Sequence, residues 1–199
     1  MSKQRVVQHT EQRGGRGARQ RILDAAAELF YREGINATGV ERLAAQSSVS
    51  KRTLYQHFPS KTAVVEEYLR SIEPGVAESV LPMQHSGGRT PRERLLAVFD
   101  TPRARGGPLR GCPFHNAAVE AAGVMPGVHD IVRASKRNFV DRLTELAKQA
   151  GAANPPLLGS QLGVLYEGAA ALATSLDDLS PWAHARAAAE TLIDQAVTR

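Results

Sequence analysis

Apolar side chains recur every three or four positions along most of the chain, which is the spacing of one buried face of an α-helix. From Ala18 to Glu33 this pattern predicts a first helix, which Gly34 ends. The same spacing returns in nearly every later segment. We therefore predict an all-α fold.

Residues 34 to 61, GINATGVERLAAQSSVSKRTLYQHFPSK, predict two short helices joined by a tight turn, followed by the start of another helix. Thr38 is the predicted N-cap of the first short helix, with Glu41 as its capping-box partner. Ser50 is the predicted N-cap of the second. Such a pair of helices is typical of proteins that place a helix in the DNA major groove.

The second short helix has one apolar face and one polar face. Leu54 and Phe58 are four residues apart and lie on the buried side. Arg52 and Gln56 each stand two residues from Leu54, so at about 100° per residue they point almost the opposite way. On chemical grounds an Arg can pair with guanine and a Gln with adenine, so these two are candidate base-reading residues.

The later part of the chain predicts further helices. The first runs from Lys61 to Ile72, where Pro74-Gly75 bends or ends it. The others span residues 91 to 98, 112 to 122, 128 to 150 and 156 to 176, with a last helix restarting at Ser180-Pro181.

The positive charge of the chain is concentrated near the two short helices. The net charge is +5, from 25 Lys and Arg against 20 Asp and Glu. Residues 1 to 61 hold 11 basic and 5 acidic residues, a balance of +6, whereas residues 62 to 199 hold 14 and 15, a balance of −1. A local positive field attracts the phosphate backbone of DNA, although a solvated charged surface is the simpler interpretation when no motif accompanies it.

Composition excludes several classes of protein. A hydrophobic content of 42% fits a globular chain, and no apolar run reaches the length of a membrane span. The single Cys cannot form an internal disulfide, and the N-terminus lacks a secretory signal, so we expect a cytoplasmic protein without a membrane partner. Phosphate-binding, dinucleotide-binding, nucleophile-elbow and zinc-protease motifs are missing from the sequence, so we expect neither an enzyme nor a cofactor.

The segment from residue 19 to 69 resembles the DNA-binding domain of the TetR family of bacterial transcriptional regulators. The specific part of the resemblance is the string VSKRTLYQHFPSK, and the remaining matches are Arg21-Ile22-Leu23, Ala25-Ala26, Leu29-Phe30, Gly34, Thr38 and Leu43-Ala44. Residues 1 to 17, with several Gly among Arg residues, predict a flexible basic arm that follows the minor groove or backbone of DNA; the alternative is a disordered tail. The resemblance implies a three-helix helix-turn-helix domain over residues 18 to 62. Residues 63 to 199 would form a helical domain for effector binding and dimerisation.

The resemblance also implies roles for individual residues. Base-facing positions correspond to Lys51, Arg52, Thr53 and Gln56. Phosphate-holding positions correspond to Thr38, Tyr55, His57 and Lys61. The alternatives are a helix-end cap for His57 and a packing residue for Tyr55. The chain departs from the family at the turn, where Ser48 replaces the usual Gly and is expected in a left-handed conformation, and at Gly39, where a second Thr is common.

The last two predicted helices have a seam of apolar and small residues. In proteins of this family such helices pair across a four-helix dimer interface, which predicts a homodimer; the alternative is an ordinary core within one chain. The predicted interface residues are Leu158, Leu162, Leu165, Ala169, Leu172, Ala188 and Leu192. A two-fold pair would read half-sites about 34 Å apart, or a multiple of that spacing.

The middle of the chain has polar and soft side chains in otherwise aliphatic surroundings. A mostly apolar pocket with a few polar groups suits a small organic effector. The candidate ligand-binding residues are Phe99, Cys112, Phe114, His115, Met125, His129 and Tyr166. The alternatives are core positions for Phe114 and Met125, a small buried hydrophobe for Cys112, and a metal site at Cys112, His115 and His129, for which the spacing is weak evidence.

Two functions follow from these features. The first is a dimeric, ligand-responsive transcriptional regulator, typically a repressor, whose partner is double-stranded operator DNA. The alternative is a non-enzymatic ligand-binding protein with a vestigial DNA-binding motif. Binding to duplex DNA separates the two.

Overall fold

The computed structural model describes residues 17–80, 88–102, 109–121 and 123–197, and within these residues every regular element is an α-helix. The predicted all-α fold is confirmed. The predicted basic arm lies outside the described residues except for Gly17. The helices are α1 (Ala18–Arg32), α2 (Val40–Gln46), α3 (Lys51–His57), α4 (Lys61–Val80), α5 (Pro91–Ala97), α6 (Pro113–Glu120), α7 (Pro126–Gln149), α8 (Pro155–Leu176) and α9 (Ser180–Ala196).

The first three helices form the predicted helix-turn-helix. Leu54 and Phe58 are buried, as the spacing predicted. Ser50 is the N-cap of α3, and its hydroxyl accepts a hydrogen bond from the Thr53 amide. The prediction that Thr38 caps α2 is wrong, because Gly39 occupies that position and the Thr38 hydroxyl instead donates to the Gly34 carbonyl at 2.7 Å.

Helix α4 is longer than predicted. It continues through Pro74 and Gly75 to residue 80 instead of ending near residue 72. A proline inside a helix removes one backbone hydrogen bond and crowds the preceding turn, but it does not always end the helix. Val64, Val65, Tyr68 and Leu69, which precede this point, are buried and hold the first part of α4 against α1, α2 and α3.

The buried side chains form two separate clusters. One joins α1, α2, α3 and α4 to Phe114 and Ala117 of α6 and to Val128 and Val132 of α7. The other joins α5 and the second half of α7 to α8 and α9. Helix α6, although it lies in the C-terminal half of the sequence, therefore packs into the same core as the helix-turn-helix.

Several residues predicted at the dimer interface lie inside the chain. Leu158, Leu162 and Ala169 are almost fully buried in the second cluster, so the intramolecular alternative is the correct one for them. The reason is that α7 and α9 cover this face of α8. Leu165, Ala188 and Leu192 are half-buried, and of the predicted set Leu172 alone is largely exposed.

None of the described helices combines the length and the apolar character that crossing a bilayer requires.

Candidate nucleic-acid interface

Helix α3 has one face in the core and one toward solvent. Leu54 is fully buried, whereas Arg52 and Gln56 are exposed, as the helical spacing predicted. Lys51 and His57 are also exposed, and Thr53 is half-buried beside its N-cap. Tyr55 exposes 49% of its surface, which is a high value for an aromatic residue in a packed domain. The exposed face of α3 is therefore cationic and hydrogen-bonding, and it can reach base edges or phosphates.

The turn between α2 and α3 is fixed by polar contacts to the backbone. Ser48 has φ +52°, which is the left-handed conformation that replacement of the usual Gly predicted. The Ser47 hydroxyl is buried and donates to the Leu43 carbonyl at 2.6 Å. The Arg21 guanidinium of α1 donates to the Ser47 carbonyl at 3.1 Å. These contacts tie the end of α2 to α1 and hold the turn that leads into α3.

Glu41, which the sequence analysis assigned to a capping box with Thr38, instead pairs with Lys51. The Lys51 ammonium lies 2.8 Å from the Glu41 carboxylate of α2. This hydrogen bond lowers the pKa of Glu41 and raises the pKa of Lys51. Both groups are exposed, so the pair exchanges readily with water and with other anions. A DNA phosphate near Lys51 would have to compete with Glu41, and Glu41 would repel that phosphate.

Replacing Glu41 by Gln is therefore expected to strengthen DNA binding. The substitution removes a negative charge from the interface and leaves the Lys51 ammonium available to a phosphate. We expect affinity for duplex DNA to rise on the order of threefold, and the slope of log affinity against log salt to steepen by about 1. Titration of labelled duplex at several salt concentrations measures both.

The control for this change is Glu145→Gln, which makes the same charge change on an exposed part of α7. An equal gain in both variants would show that net charge, and not the Glu41–Lys51 pair, controls binding.

Of the predicted phosphate-holding residues, Thr38 is buried and Lys61 is half-buried. The Thr38 hydroxyl donates to the Gly34 carbonyl and is shielded from solvent. It is therefore not accessible to a DNA phosphate. Lys61 is the first residue of α4 and is half-buried. Partial burial lowers the pKa of its ammonium, and the Glu120 carboxylate opposes that change.

The predicted effector residues fall into three groups. Cys112, Phe114 and Tyr166 line a cavity between α4, α6, α7 and α8, which we call the inner cavity. Cys112 and His115 line a second cavity between α6 and α8, which we call the α6–α8 cavity. Phe99, Met125 and His129 line neither of these two cavities. Phe99 and Met125 pack in the two cores because their large apolar side chains fill the space between helices.

The two cavities differ in size and lining. The α6–α8 cavity has a volume of about 280 Å³, against about 50 Å³ for the inner cavity. An ion pair missed at the sequence level, Lys136 to Glu167 at 2.5 Å, lies beside both, and the same ammonium donates to the Cys112 sulfur at 3.4 Å. Glu167 and Cys112 line both cavities. Within the described residues, no group of His, Cys, Asp and Glu side chains is arranged to hold a metal ion.

The helix-turn-helix with an exposed cationic helix, packed against a helical domain with cavities, defines a DNA-binding regulatory protein. Residues 22–68 match the model of the bacterial regulatory proteins of the tetR family. A solved protein assigned to the TetR transcriptional regulators of Streptomyces avermitilis is 31% identical, with a TM-score of 0.83, over 92% of this chain and 100% of that one. The chain belongs to the TetR family of transcriptional regulators.

The curated relatives match over only part of their length. The transcriptional repressor KstR2 of Rhodococcus jostii is 42% identical over 57 residues, which is 29% of this chain and 28% of that protein. The transcriptional activator FasR of Mycolicibacterium smegmatis is 36% identical over 86 residues, which is 41% of this chain and 39% of that protein. The matched segments thus span well under half of either relative, and the two relatives act in opposite directions.

Proposed function

We propose that this TetR-family chain is a homodimeric repressor that binds a specific operator through α3 and leaves it when a small organic effector binds the C-terminal domain. The observation that supports operator recognition most directly is the exposure of Arg52 and Gln56 on the face of α3 opposite the buried Leu54. Repression requires only occupancy and release of DNA, and KstR2, which matches 57 residues of this chain, is named a repressor.

The side chains of α3 divide into two chemical roles. Arg52 and Gln56 carry groups that can form paired hydrogen bonds with guanine and adenine, so they are the proposed base readers, with Lys51 and Thr53 beside them. Tyr55, His57 and Lys61 lie toward the end of α3 and the start of α4 and are the proposed phosphate contacts. Phosphate contacts fix the position of the protein, and base contacts give sequence preference.

Replacing Arg52 by Ala is expected to lower operator affinity by about 1–3 kcal/mol and to relax preference at one base position. Tyr55→Ala should instead weaken binding to all sequences by a similar factor, because a phosphate contact carries no base information. The measurement is selection of duplexes from a random pool, followed by affinities for single-base variants of the selected site. A uniform loss in Arg52→Ala would contradict its role as a base reader.

Dimerisation is proposed through the outward face of α8, not through the buried residues of that helix. Leu157, Val164, Leu172 and Leu176 expose between 53% and 73% of their surfaces and recur at helical spacing. Gly168 lies in the same row, with nothing within 4 Å of the position where a Cβ would stand. A row of exposed apolar residues with a small residue in its middle suits close packing against a second helix.

The effector is proposed to bind around Cys112, where the inner cavity and the α6–α8 cavity meet. Effector binding would favour one of two forms of the dimer. In the form that binds DNA, the two α3 helices fit the two half-sites of the operator, and in the form that the effector favours they do not. The size of that shift is limited by the difference in effector affinity between the two forms. A screen for small molecules that release bound duplex would identify the effector class.

A mobility-shift assay with duplex from the region upstream of the coding sequence tests the whole proposal. Retarded duplex at low salt that resists competition by unrelated DNA supports an operator-binding regulator. If the protein binds small molecules but shows no binding to any duplex tested, it is a ligand-binding protein whose helix-turn-helix has lost its function.

A further inference from the structure

Helix α3 depends on the contacts that hold its two ends. It is seven residues long, and among these seven Leu54 alone is buried. A helix of this length is not stable by itself in water, so its direction is set by its surroundings. At its first end, the Ser50 hydroxyl accepts the Thr53 amide, and the Arg21 guanidinium donates to the Ser47 carbonyl in the preceding turn.

Phe58 ends α3 on the other side. Its backbone is extended, with φ −138° and ψ 113°, and its amide donates to the Leu54 carbonyl at 2.9 Å, which closes the last helical turn. Its side chain is buried. Gln56 and His57 immediately precede Phe58, so a movement of its ring would also move a proposed base reader and a proposed phosphate contact. The direction of the last turn of α3 therefore depends on how the Phe58 ring is held.

A guanidinium of α1 covers that ring. The Arg19 Cζ lies 5.3 Å from the centre of the Phe58 ring, which is a cation–π distance. The same guanidinium pairs with the Glu67 carboxylate of α4 at 2.7 Å and lowers the pKa of Glu67. Arg19 thus joins three helices at one point, α1, the end of α3 and α4. We call its pairings with Phe58 and Glu67 the Arg19 contacts.

The stability of α1 itself does not account for a cation at this position. Arg19 is the second residue of α1, where the helix dipole disfavours positive charge, and the first turn of α1 over residues 18 to 21 contains no acidic residue. The charge at residue 19 is therefore better explained by its partners on α3 and α4.

The global fold should not depend on Arg19 either. Its ion pair with Glu67 is partly exposed, and such pairs contribute little to folding. Arg70 lies 3.6 Å from the Glu67 carboxylate, so Glu67 keeps a cationic partner when Arg19 is removed. Loss of Arg19 should therefore loosen the end of α3 and leave the rest of the domain folded.

We propose that Arg19 is a positioning residue for operator recognition, which fixes the end of α3 through Phe58 and Glu67 without contacting DNA. Binding to unrelated DNA depends mainly on phosphate contacts, whereas base readout requires a fixed direction of α3. Removal of Arg19 therefore lowers preference for the operator more than affinity for DNA in general. This inference rests on the proposed function, because such a preference exists only if α3 reads bases.

The first test compares Arg19→Ala with Arg32→Ala. Arg32 is also an exposed residue of α1, and it pairs with Glu28, so both changes remove one positive charge and one ion pair from the same helix. We expect Arg19→Ala to lower affinity for the selected operator about fivefold and for an unrelated duplex by about twofold at most, with an unchanged slope of log affinity against log salt. Arg32→Ala should leave the ratio of the two affinities unchanged.

Titration of both labelled duplexes at several salt concentrations measures these quantities. An equal loss on both duplexes, with a slope that is shallower by about 1, would show that Arg19 contacts a phosphate and would overturn the inference. A folded Arg19→Ala protein with the affinities of the parent would overturn it as well, because the residue would then have no part in recognition.

Glu67→Gln distinguishes the two roles of Arg19 by the direction of its effect. If Arg19 held a phosphate, removal of its competing carboxylate would strengthen binding, as we expect for Lys51 in Glu41→Gln. If Arg19 positions α3, operator affinity should instead fall about threefold, and the double variant Arg19→Ala, Glu67→Gln should lose no more than Arg19→Ala alone. A rise in operator affinity in Glu67→Gln would contradict the positioning role.

Hydrogen exchange of the Phe58 amide tests the Arg19 contacts without DNA. This amide reports the last turn of α3, and its exchange should be about fivefold faster in Arg19→Ala. The Ser47 amide, which donates to the Leu43 carbonyl at the end of α2, should keep its rate. Unchanged Phe58 exchange would overturn the inference even in a protein that binds its operator. If the parent chain binds no duplex, the proposed function fails, and faster exchange would still show that Arg19 holds α3.

Discussion

Replacing both Val164 and Leu172 by Asp is expected to convert the protein to a monomer and to lower operator affinity by about 10²- to 10⁴-fold. The two side chains expose 73% and 55% of their surfaces in the single chain, so the substitutions should leave the fold intact. In a dimer packed on this face, four carboxylates would meet in an apolar contact, where unpaired charge is very costly. In a dimer, binding of one subunit to its half-site holds the second subunit near the other half-site at a high effective concentration. A monomer lacks this advantage and binds each half-site separately, so its affinity for the operator is lower.

Light scattering measures the mass, and duplex titration measures the affinity. The matched control is Val124→Asp, since Val124 is 74% exposed but lies between α6 and α7, away from the outward face of α8. Leu165→Asp would be a poor test, because Leu165 is half-buried against the second core and its loss would also disturb folding. A double variant that remains dimeric would place the interface elsewhere.

Replacing Gly159 by Ala is expected to lower the free energy of unfolding by about 2 kcal/mol, although Ala normally favours a helix. A Cβ at Gly159 would stand 2.8 Å from the backbone nitrogen and 2.9 Å from the Cα of Thr144 in α7. Backbone atoms cannot rotate aside as a side chain can, so α7 and α8 must separate. Since these two helices support the second core, the midpoint of thermal unfolding should fall by about 4–8 °C.

The matched control is Gly75→Ala in α4, where nothing lies within 4 Å of the added Cβ. This change should raise the free energy of unfolding by about 0.5–1 kcal/mol, because Ala lowers the conformational entropy of the unfolded chain. Thermal unfolding of the two variants followed by circular dichroism gives the comparison. A Gly159→Ala protein as stable as the parent would show that α7 and α8 do not pack so closely in solution.

The sequence was sufficient to predict the features set by local periodicity. The alternation of buried Leu54 and exposed Arg52 and Gln56 depends only on the helical repeat, and Ser50 caps α3 through an amide three residues away. Thr38 was misassigned because Thr38 and Gly39 are both acceptable at a helix start. The choice between them depends on Gly34, whose carbonyl accepts the Thr38 hydroxyl.

The sequence did not predict the features that depend on which helices pack against each other. Helix α8 has apolar residues on both of its faces, so spacing could not show that Leu158 and Leu162 face the core while Val164 faces solvent. In the same way, nothing near Glu120 in the sequence indicates that its carboxylate accepts a hydrogen bond from the backbone amide of Asn36, which is 84 positions away. Charge complementarity between Lys136 and Glu167 is equally non-local.

Pro74 gives helix α4 a mechanical property. The proline nitrogen carries no proton, so the carbonyl of Arg70, one turn earlier, does not receive the usual helical hydrogen bond from residue 74. The helix therefore bends more easily at this point than elsewhere along its length. The buried residues before Pro74 pack against α1, whereas Val76 after it is partly buried against the same core and, with Ala77, borders the inner cavity. A ligand bound in the inner cavity would therefore press on the part of α4 that bends most easily, while the buried residues before Pro74 hold the other end of the helix against α1.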